Sequence, residues 1–178
     1  TVSDMAGATA SQTIVVTEPD MMVLSSTNTD VTCFGGSDGA IDLDIAGGVS
    51  PFIYLWSTGA STEVITGLAE GVYAMAVIDA NGCVAGYNTY VGSPAEIELT
   101  FNVTDPLCAT DGSVELIVTG GTSPYTYSWS TGATTQNISN VAGGSYSVVV
   151  TDASGCSGTE SVEVASIGEL QASATIAG

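Results

Sequence analysis

Residues 47–60, Gly-Gly-Val-Ser-Pro-Phe-Ile-Tyr-Leu-Trp-Ser-Thr-Gly-Ala, return at 120–133 as Gly-Gly-Thr-Ser-Pro-Tyr-Thr-Tyr-Ser-Trp-Ser-Thr-Gly-Ala. A chain that repeats itself builds one structural unit several times, so the repeat is read before anything else. The offset of 73 holds from Asp38/Asp111 through Trp56/Trp129 and Tyr73/Tyr146 to Cys83/Cys156. Two extra residues between Cys33 and Asp38 stretch it to 75 further upstream, where residues 4–19 match 79–94. The chain therefore divides into the last strands of one unit (1–18), two whole units (19–93 and 94–167), and the first strand of another (168–178).

Working outward from the quoted stretch, each unit reads as strands. Ala40-Ile41-Asp42-Leu43-Asp44-Ile45 alternates strictly, which places Ile41, Leu43 and Ile45 on one face and both Asp on the other. Val114-Glu115-Leu116-Ile117-Val118 keeps the inward set, and Ile97, Leu99 and Phe101 alternate with Glu96 and Glu98. Residues 72–78 and 145–151 are β-branched and aromatic, as sheets favour. Turn signals lie between them: Ser-Thr-Gly at 57–59 and 130–132, Asp-Ala-Asn-Gly at 79–82, and Asp-Ala-Ser-Gly at 152–155. No stretch shows a capped 3.6-residue period. Roughly seven short strands in about 75 residues, with one Trp and a Tyr after a Gly, point to a small immunoglobulin-like sandwich. The expected fold class is all-β: tandem immunoglobulin-like β-sandwich domains in an elongated rod. Trp56 and Trp129, with Tyr73 and Tyr146, are the expected core aromatics, because so small a domain needs its largest apolar side chain inside. The competing reading of the Trp pair is an exposed sugar-stacking face.

Four cysteines, Cys33, Cys83, Cys108 and Cys156, allow three connectivities. Pairing within units gives Cys33–Cys83 and Cys108–Cys156 and leaves no thiol over. Pairing Cys83 with Cys108 would match Cys33 with Ala8, the counterpart of Cys83 in the upstream unit, and orphan a thiol. Within-unit bridges are therefore expected. Each would close a loop of about 50 residues, worth on the order of 4 kcal/mol by chain entropy, and would imply an oxidising compartment. Four buried free thiols, or a four-Cys metal site despite the absence of C-x-x-C spacing, are the other readings.

The chain has 178 residues, 19 Asp plus Glu, and no Lys, Arg or His, for a net charge of −19. Nothing in it neutralises phosphates, so nucleic acid and anionic membrane surfaces are excluded as partners by the usual route. Without His or Lys there is no imidazole or amine base, no Ser-His-Asp or Cys-His triad and no P-loop lysine. What remains is carboxylate, hydroxyl, amide and thiol chemistry, which argues against an enzyme. Apolar residues make up 44%, enough to bury a core, and no run approaches the length of a membrane span. The chain begins with Thr1 and shows no basic leader region, so it reads as an interior piece of something longer.

The string C…DG-x-I-x-L-x-x-x-GG-x-x-P-[FY]-x-Y-x-W-S-T-GA…G-x-Y-x-x-x-V-x-D-A-x-GC resembles the SprB repeat. In the first unit it falls on Asp38, Gly39, Gly47, Gly48, Pro51, Tyr54, Trp56, Gly59, Tyr73, Asp79, Gly82 and Cys83. It recurs from Asp111 to Cys156. That family is named for a giant gliding-motility adhesin of Bacteroidetes. The resemblance implies long tandem arrays on the cell surface, exported by the Sec pathway and the type IX secretion system. It also implies adhesion to an extracellular surface or polysaccharide during gliding, with neighbouring repeats of the same chain as partners. The family pattern marks structure, so it carries over no catalytic or binding residue. This chain departs from it at Ala8, where a Cys is expected, and at Ser154, where the first unit has Asn81.

Asp79-Ala80-Asn81-Gly82 has the start of a calcium loop, with oxygen side chains at i and i+2 and then Gly, and the second unit offers Asp152 and Ser154. Calcium is the most credible cofactor on a surface that offers only anions. The spacing lacks further acids, however, and a hairpin turn with Asp accepting backbone N–H groups competes. Asp42 with Asp44, and Glu96 with Glu98, read as solvated strand faces, since position 44 becomes Ile117 in the second unit. The leading functional expectation is a stalk segment of a cell-surface adhesin. A carbohydrate-binding accessory module of a secreted enzyme would need exposed aromatics such as Tyr87 and Tyr90, which become Glu160 and Glu163 in the second unit. A structural subunit of an extracellular filament, built by strand donation between copies, is the third.

Overall fold

In a computed structural model, residues 2–3, 5–14, 18–107 and 110–166 are described. Every helix or strand element among them is a strand. The expected strand at 168–178 and Cys108 lie outside the described residues. A short hairpin, β1 (Val2–Ser3) with β2 (Thr9–Ala10), precedes the first repeat.

The first repeat contains β3 (Val23–Thr29), β4 (Gly39–Ala46), β5 (Ile53–Trp56), β6 (Val64–Leu68), β7 (Gly71–Ile78) and β8 (Val84–Val91). The second contains β9 (Glu98–Thr104), β10 (Gly112–Thr119), β11 (Thr126–Trp129), β12 (Ile138–Val141), β13 (Gly144–Thr151) and β14 (Ser157–Val164). Each repeat forms two three-stranded sheets, ordered β3-β4-β6 and β5-β7-β8, then β9-β10-β12 and β11-β13-β14. Six strands per repeat form where about seven are expected. The lead-in residues contribute one backbone bond instead of a strand, Gly48 N–H to Asp20 O at 2.9 Å and Gly121 N–H to Ala95 O at 2.9 Å.

Alternation decides what is buried. Along β10 and β13 the inward residues Val114, Leu116, Val148 and Val150 are fully enclosed, while Glu115 and Val149 face out. Trp129, Ile138, Val141 and Val164 join them in one cluster, so side chains from both sheets of the second repeat share a core, as in an immunoglobulin-like sandwich. Phe101 of β9 lies 6.3 Å from Trp129, ring to ring, across that core. The same positions are buried in the first repeat: Ile41, Leu43, Trp56, Met75, Val77 and Val91. Tyr73 and Tyr146, expected in the core, are half-buried, and the Tyr146 hydroxyl donates to Ala142 O at 2.8 Å. Ser50–Pro51 and Ser123–Pro124 are cis.

Register explains where each turn goes. β11 pairs with only the far half of β13 (Thr126 with Thr151, Trp129 with Val148). β12 pairs with only the near end of β10 (Ile138 with Val114, Val141 with Gly112). Together β11 and β12 thus make a single pass along the repeat, changing sheets midway. The β13–β14 hairpin turn consequently lies at the Glu98/Thr119 end, whereas the β9–β10 connection leaves Thr104 and enters Gly112 at the other.

The chain separates into two compact units that do not follow the repeat boundary: 1–27, 42–64 and 73–89; then 28–41, 65–72 and 90–178. Cys83 falls in the first unit, and Cys33 falls in the second with Cys156. No helix among the described residues is long and apolar enough to cross a membrane.

Candidate functional site: the cysteine-bearing turns

Asp79 opens the turn between β7 and β8, and its carboxylate gathers three backbone N–H groups. Oδ1 accepts the N–H groups of Asn81 at 2.9 Å and Cys83 at 2.8 Å, and Oδ2 accepts that of Val49 at 3.2 Å. Asp152 repeats this: Oδ1 takes Ser154 and Cys156 at 2.9 Å each, and Oδ2 takes Thr122 at 2.9 Å. Burial pushes each carboxyl upward, but the hydrogen bonds outweigh it. Those of Cys83, Val49 and Asn81 hold Asp79 below the usual carboxylate value, and those of Thr122, Cys156, Ser154 and Gly155 do the same for Asp152.

These bonds account for the turn's carboxylates without an ion. A calcium site needs six to eight oxygen ligands. Here Asp79 and Asp152 spend their oxygens on N–H donors, Asn81 enters through its backbone, and the two Asp belong to separate copies of the turn. Among the described residues no three acidic or thiol side chains converge as metal ligands. The turn's residues do not fit the ion. They instead tie the hairpin to the β4–β5 (or β10–β11) loop and hold the amide of the following cysteine.

Cys156 is bonded to Cys33, with Cα atoms 5.5 Å apart and a sequence separation of 123. Cys83 carries a free, exposed thiol. The expected Cys33–Cys83 and Cys108–Cys156 pairs are therefore corrected: the bridge links the first repeat to the second. The cause is the single pass made by β11 and β12. It sets the hairpin cysteine and the β9–β10 connection at opposite ends of a seven-residue strand, about 20 Å apart. A disulfide tolerates no more than about 7 Å between Cα atoms.

The Cys33 segment is held as firmly as the hairpin. Val31 N–H donates to Gly92 O at 3.0 Å, Gly92 N–H to Asp30 Oδ1 at 2.7 Å, and Thr32 N–H to Asp38 Oδ1 at 2.9 Å. Hydrogen bonds from the Thr32 hydroxyl and then from its N–H hold Asp38 below the usual carboxylate value. Thr32 O lies 3.3 Å from the Cys156 sulfur, a contact and not a hydrogen bond, because a bridged sulfur carries no proton. Beside this bridge is an open recess of about 470 Å³ lined by Pro94, Ile97, Gly121 and Asp152 and bordered by Cys33 and Phe34.

The remaining candidates are not brought together. Trp56 and Trp129 are 5% and 3% exposed, with Nε1 donating to Thr62 O at 2.8 Å and Thr135 O at 2.9 Å. Neither offers a face to a sugar. Tyr90 is 51% exposed and its hydroxyl donates to Glu70 Oε1 at 2.5 Å, which raises its pKa; Tyr87 is half-buried. Glu160 and Glu163 occupy the corresponding places in the second repeat, so no aromatic pair recurs there.

The model of the SprB repeat family matches residues 25–61 and 100–134. No curated protein matches the chain. Among solved structures, an amphioxus IgVJ-C2 molecule is 17% identical over 74% of this chain and 98% of its own, with a TM-score of 0.34. A C-terminal fragment of intimin, in complex with the intimin-binding domain of its translocated receptor, is 12% identical over 82% of this chain and 64% of its own, at 0.37. The eight N-terminal Ig domains of Down syndrome cell adhesion molecule are 11% identical over 83% of this chain and 25% of that one, at 0.40.

Proposed function

We propose that the chain, two segments of which match the SprB repeat model, is a stalk segment of a bacterial cell-surface adhesin. The observation that carries this reading is the duplication itself. Both matched segments contain the same strand, core Trp and loop positions, and what recurs in both is the residues that hold the fold. A module repeated for its scaffold serves to extend and space, and its adhesive chemistry toward a surface or polysaccharide belongs to the larger assembly. The Cys33–Cys156 bridge supports an extracellular location, where thiols are oxidised. Gliding motility, export by type IX secretion and a source among the Bacteroidetes extend the same proposal through the family, and a non-catalytic role goes with it.

An antibody raised against residues 19–167 tests it on intact, unpermeabilised cells of the source organism. Surface labelling, with reduced attachment once the antibody is bound, is the expected result. Labelling only after permeabilisation overturns the reading, and tight binding of the isolated chain to a defined oligosaccharide moves it to a carbohydrate-binding module.

A further inference from the structure

We propose that Cys83 forms the same kind of bond that Cys156 forms, with a cysteine at the Cys33 position of another SprB-type repeat, so that successive repeats are coupled in series by one disulfide per junction. The inference concerns how repeats are joined and does not depend on what the array adheres to.

Three observations converge on Cys83 beyond its being an exposed thiol. First, its local frame is that of a bonded cysteine. Asp79 holds the Cys83 N–H at 2.8 Å as Asp152 holds that of Cys156 at 2.9 Å, and the Val49 and Thr122 contacts match as well. Second, a recess of about 190 Å³ beside Cys83 is lined by Pro19, Met22, Gly48 and Asp79. These are the counterparts of Pro94, Ile97, Gly121 and Asp152 beside Cys156, where Cys33 and Phe34 complete the border. A matching seat is therefore present in the first repeat. Third, the other half of the bond also recurs. Asp105 Oδ1 accepts the Ala165 N–H at 2.9 Å just as Asp30 accepts that of Gly92 at 2.7 Å, so the segment leading to Cys108 is anchored like the one leading to Cys33. Each repeat thus carries one cysteine on its hairpin and one on its first connection. A contact between unlike patches of identical units is heterologous: it leaves a free patch at each end, and it propagates as an open array wherever its rotation does not close a ring.

The occupant is accordingly a repeat of this kind, and a second copy of this chain supplies one through Cys108. Bond formation joins two thiols as one S–S bond and releases two protons and two electrons. A disulfide oxidant, of protein or small-molecule class, takes the electrons and is reduced to two thiols.

The test oxidises the purified chain with a glutathione redox buffer at high protein concentration and reads products on non-reducing gels. Cleavage after Glu places the four cysteines in separate peptides, 19–63, 71–96, 99–115 and 116–160, so each bridge is assigned by mass. A series of multimers linked through 71–96 and 99–115, with the 19–63 to 116–160 bridge retained, is expected. Cys83→Ser and Cys108→Ser chains should each stay monomeric alone. Mixed, they should give a dimer at least tenfold above either by itself, since one brings Cys108 and the other Cys83. Symmetric Cys83–Cys83 dimers, an in-chain Cys33–Cys83 bridge, or a Cys83 that remains alkylatable throughout would each overturn the proposal. Circular dichroism of both variants separates these outcomes from misfolding.

Discussion

The carboxylate of Asp152 accepts the backbone N–H of Thr122 at 2.9 Å, reaching thirty positions back along the chain to pin the hairpin to the β10–β11 loop. Because N–H donors stabilise the anion, Asp152 titrates below its ordinary value of 3.8 in the folded chain. The unfolded chain then binds the proton more readily. The anchor's contribution is fully present above the unfolded-state pKa, about 3.9, and is lost as pH falls through the folded one. Asp152→Asn should therefore unfold at lower urea than the parent at pH 7, and the gap should shrink as pH drops below about 4. Relief of the −19 self-repulsion acts on both chains alike and cancels in the comparison. An unchanged gap at pH 2.5 contradicts the assignment.

Trp129 is enclosed by both sheets of the second repeat and its indole N–H is satisfied by Thr135. Trp129→Ala should cost about 3–5 kcal/mol, the usual range for emptying a core aromatic site. Iodide should barely quench the fluorescence of either Trp in the folded chain, and adding oligosaccharide should not change it. Strong quenching before unfolding would place the ring outside.

The Cys33–Cys156 bridge closes a loop of 123 residues in sequence. In the chain-entropy account, a loop of that length is worth about 5 kcal/mol. Cys33→Ser should lower stability by up to that amount, and a reductant should bring the parent to the same urea midpoint. If reduction leaves the midpoint unmoved, the bridge contributes nothing to folding.

Gly120 and Gly132 both hold positive φ, +72° and +85°, but they differ in surroundings. A Cβ at 132 meets nothing within 4 Å, whereas one at 120 would overlap Glu96 O. Gly132→Ala should cost about 1–2 kcal/mol, the penalty of a left-handed backbone for an L-residue. Gly120→Ala should cost clearly more, because the backbone at Glu96 has to move. Equal thermal shifts for the two variants would refute the close approach.

How much of this was legible depends on the range of the signal. Period-two alternation at Ile41, Leu43, Val114 and Leu116 specifies strands and their inner face locally, and the fold follows it. The repeated Asp-Ala-x-Gly reads as a turn for the same local reason. The cysteine pairing was lost because it depends on which end of the sandwich each turn occupies. That is set by β11 and β12 sharing one pass between two sheets, a relation between Trp129 and Ile138 that no window of sequence displays.

The bridge also changes what a pulling force encounters. A load entering on the N-terminal side of Cys33 and leaving beyond Cys156 crosses two sulfur atoms, and the 122 residues between them are bypassed. At 3.3–3.6 Å per residue, about 400 Å of slack stays locked while the bond is intact. The strands of β4 through β13 then need no mechanical strength of their own, and the molecule's extensibility is governed by the redox state of its surroundings.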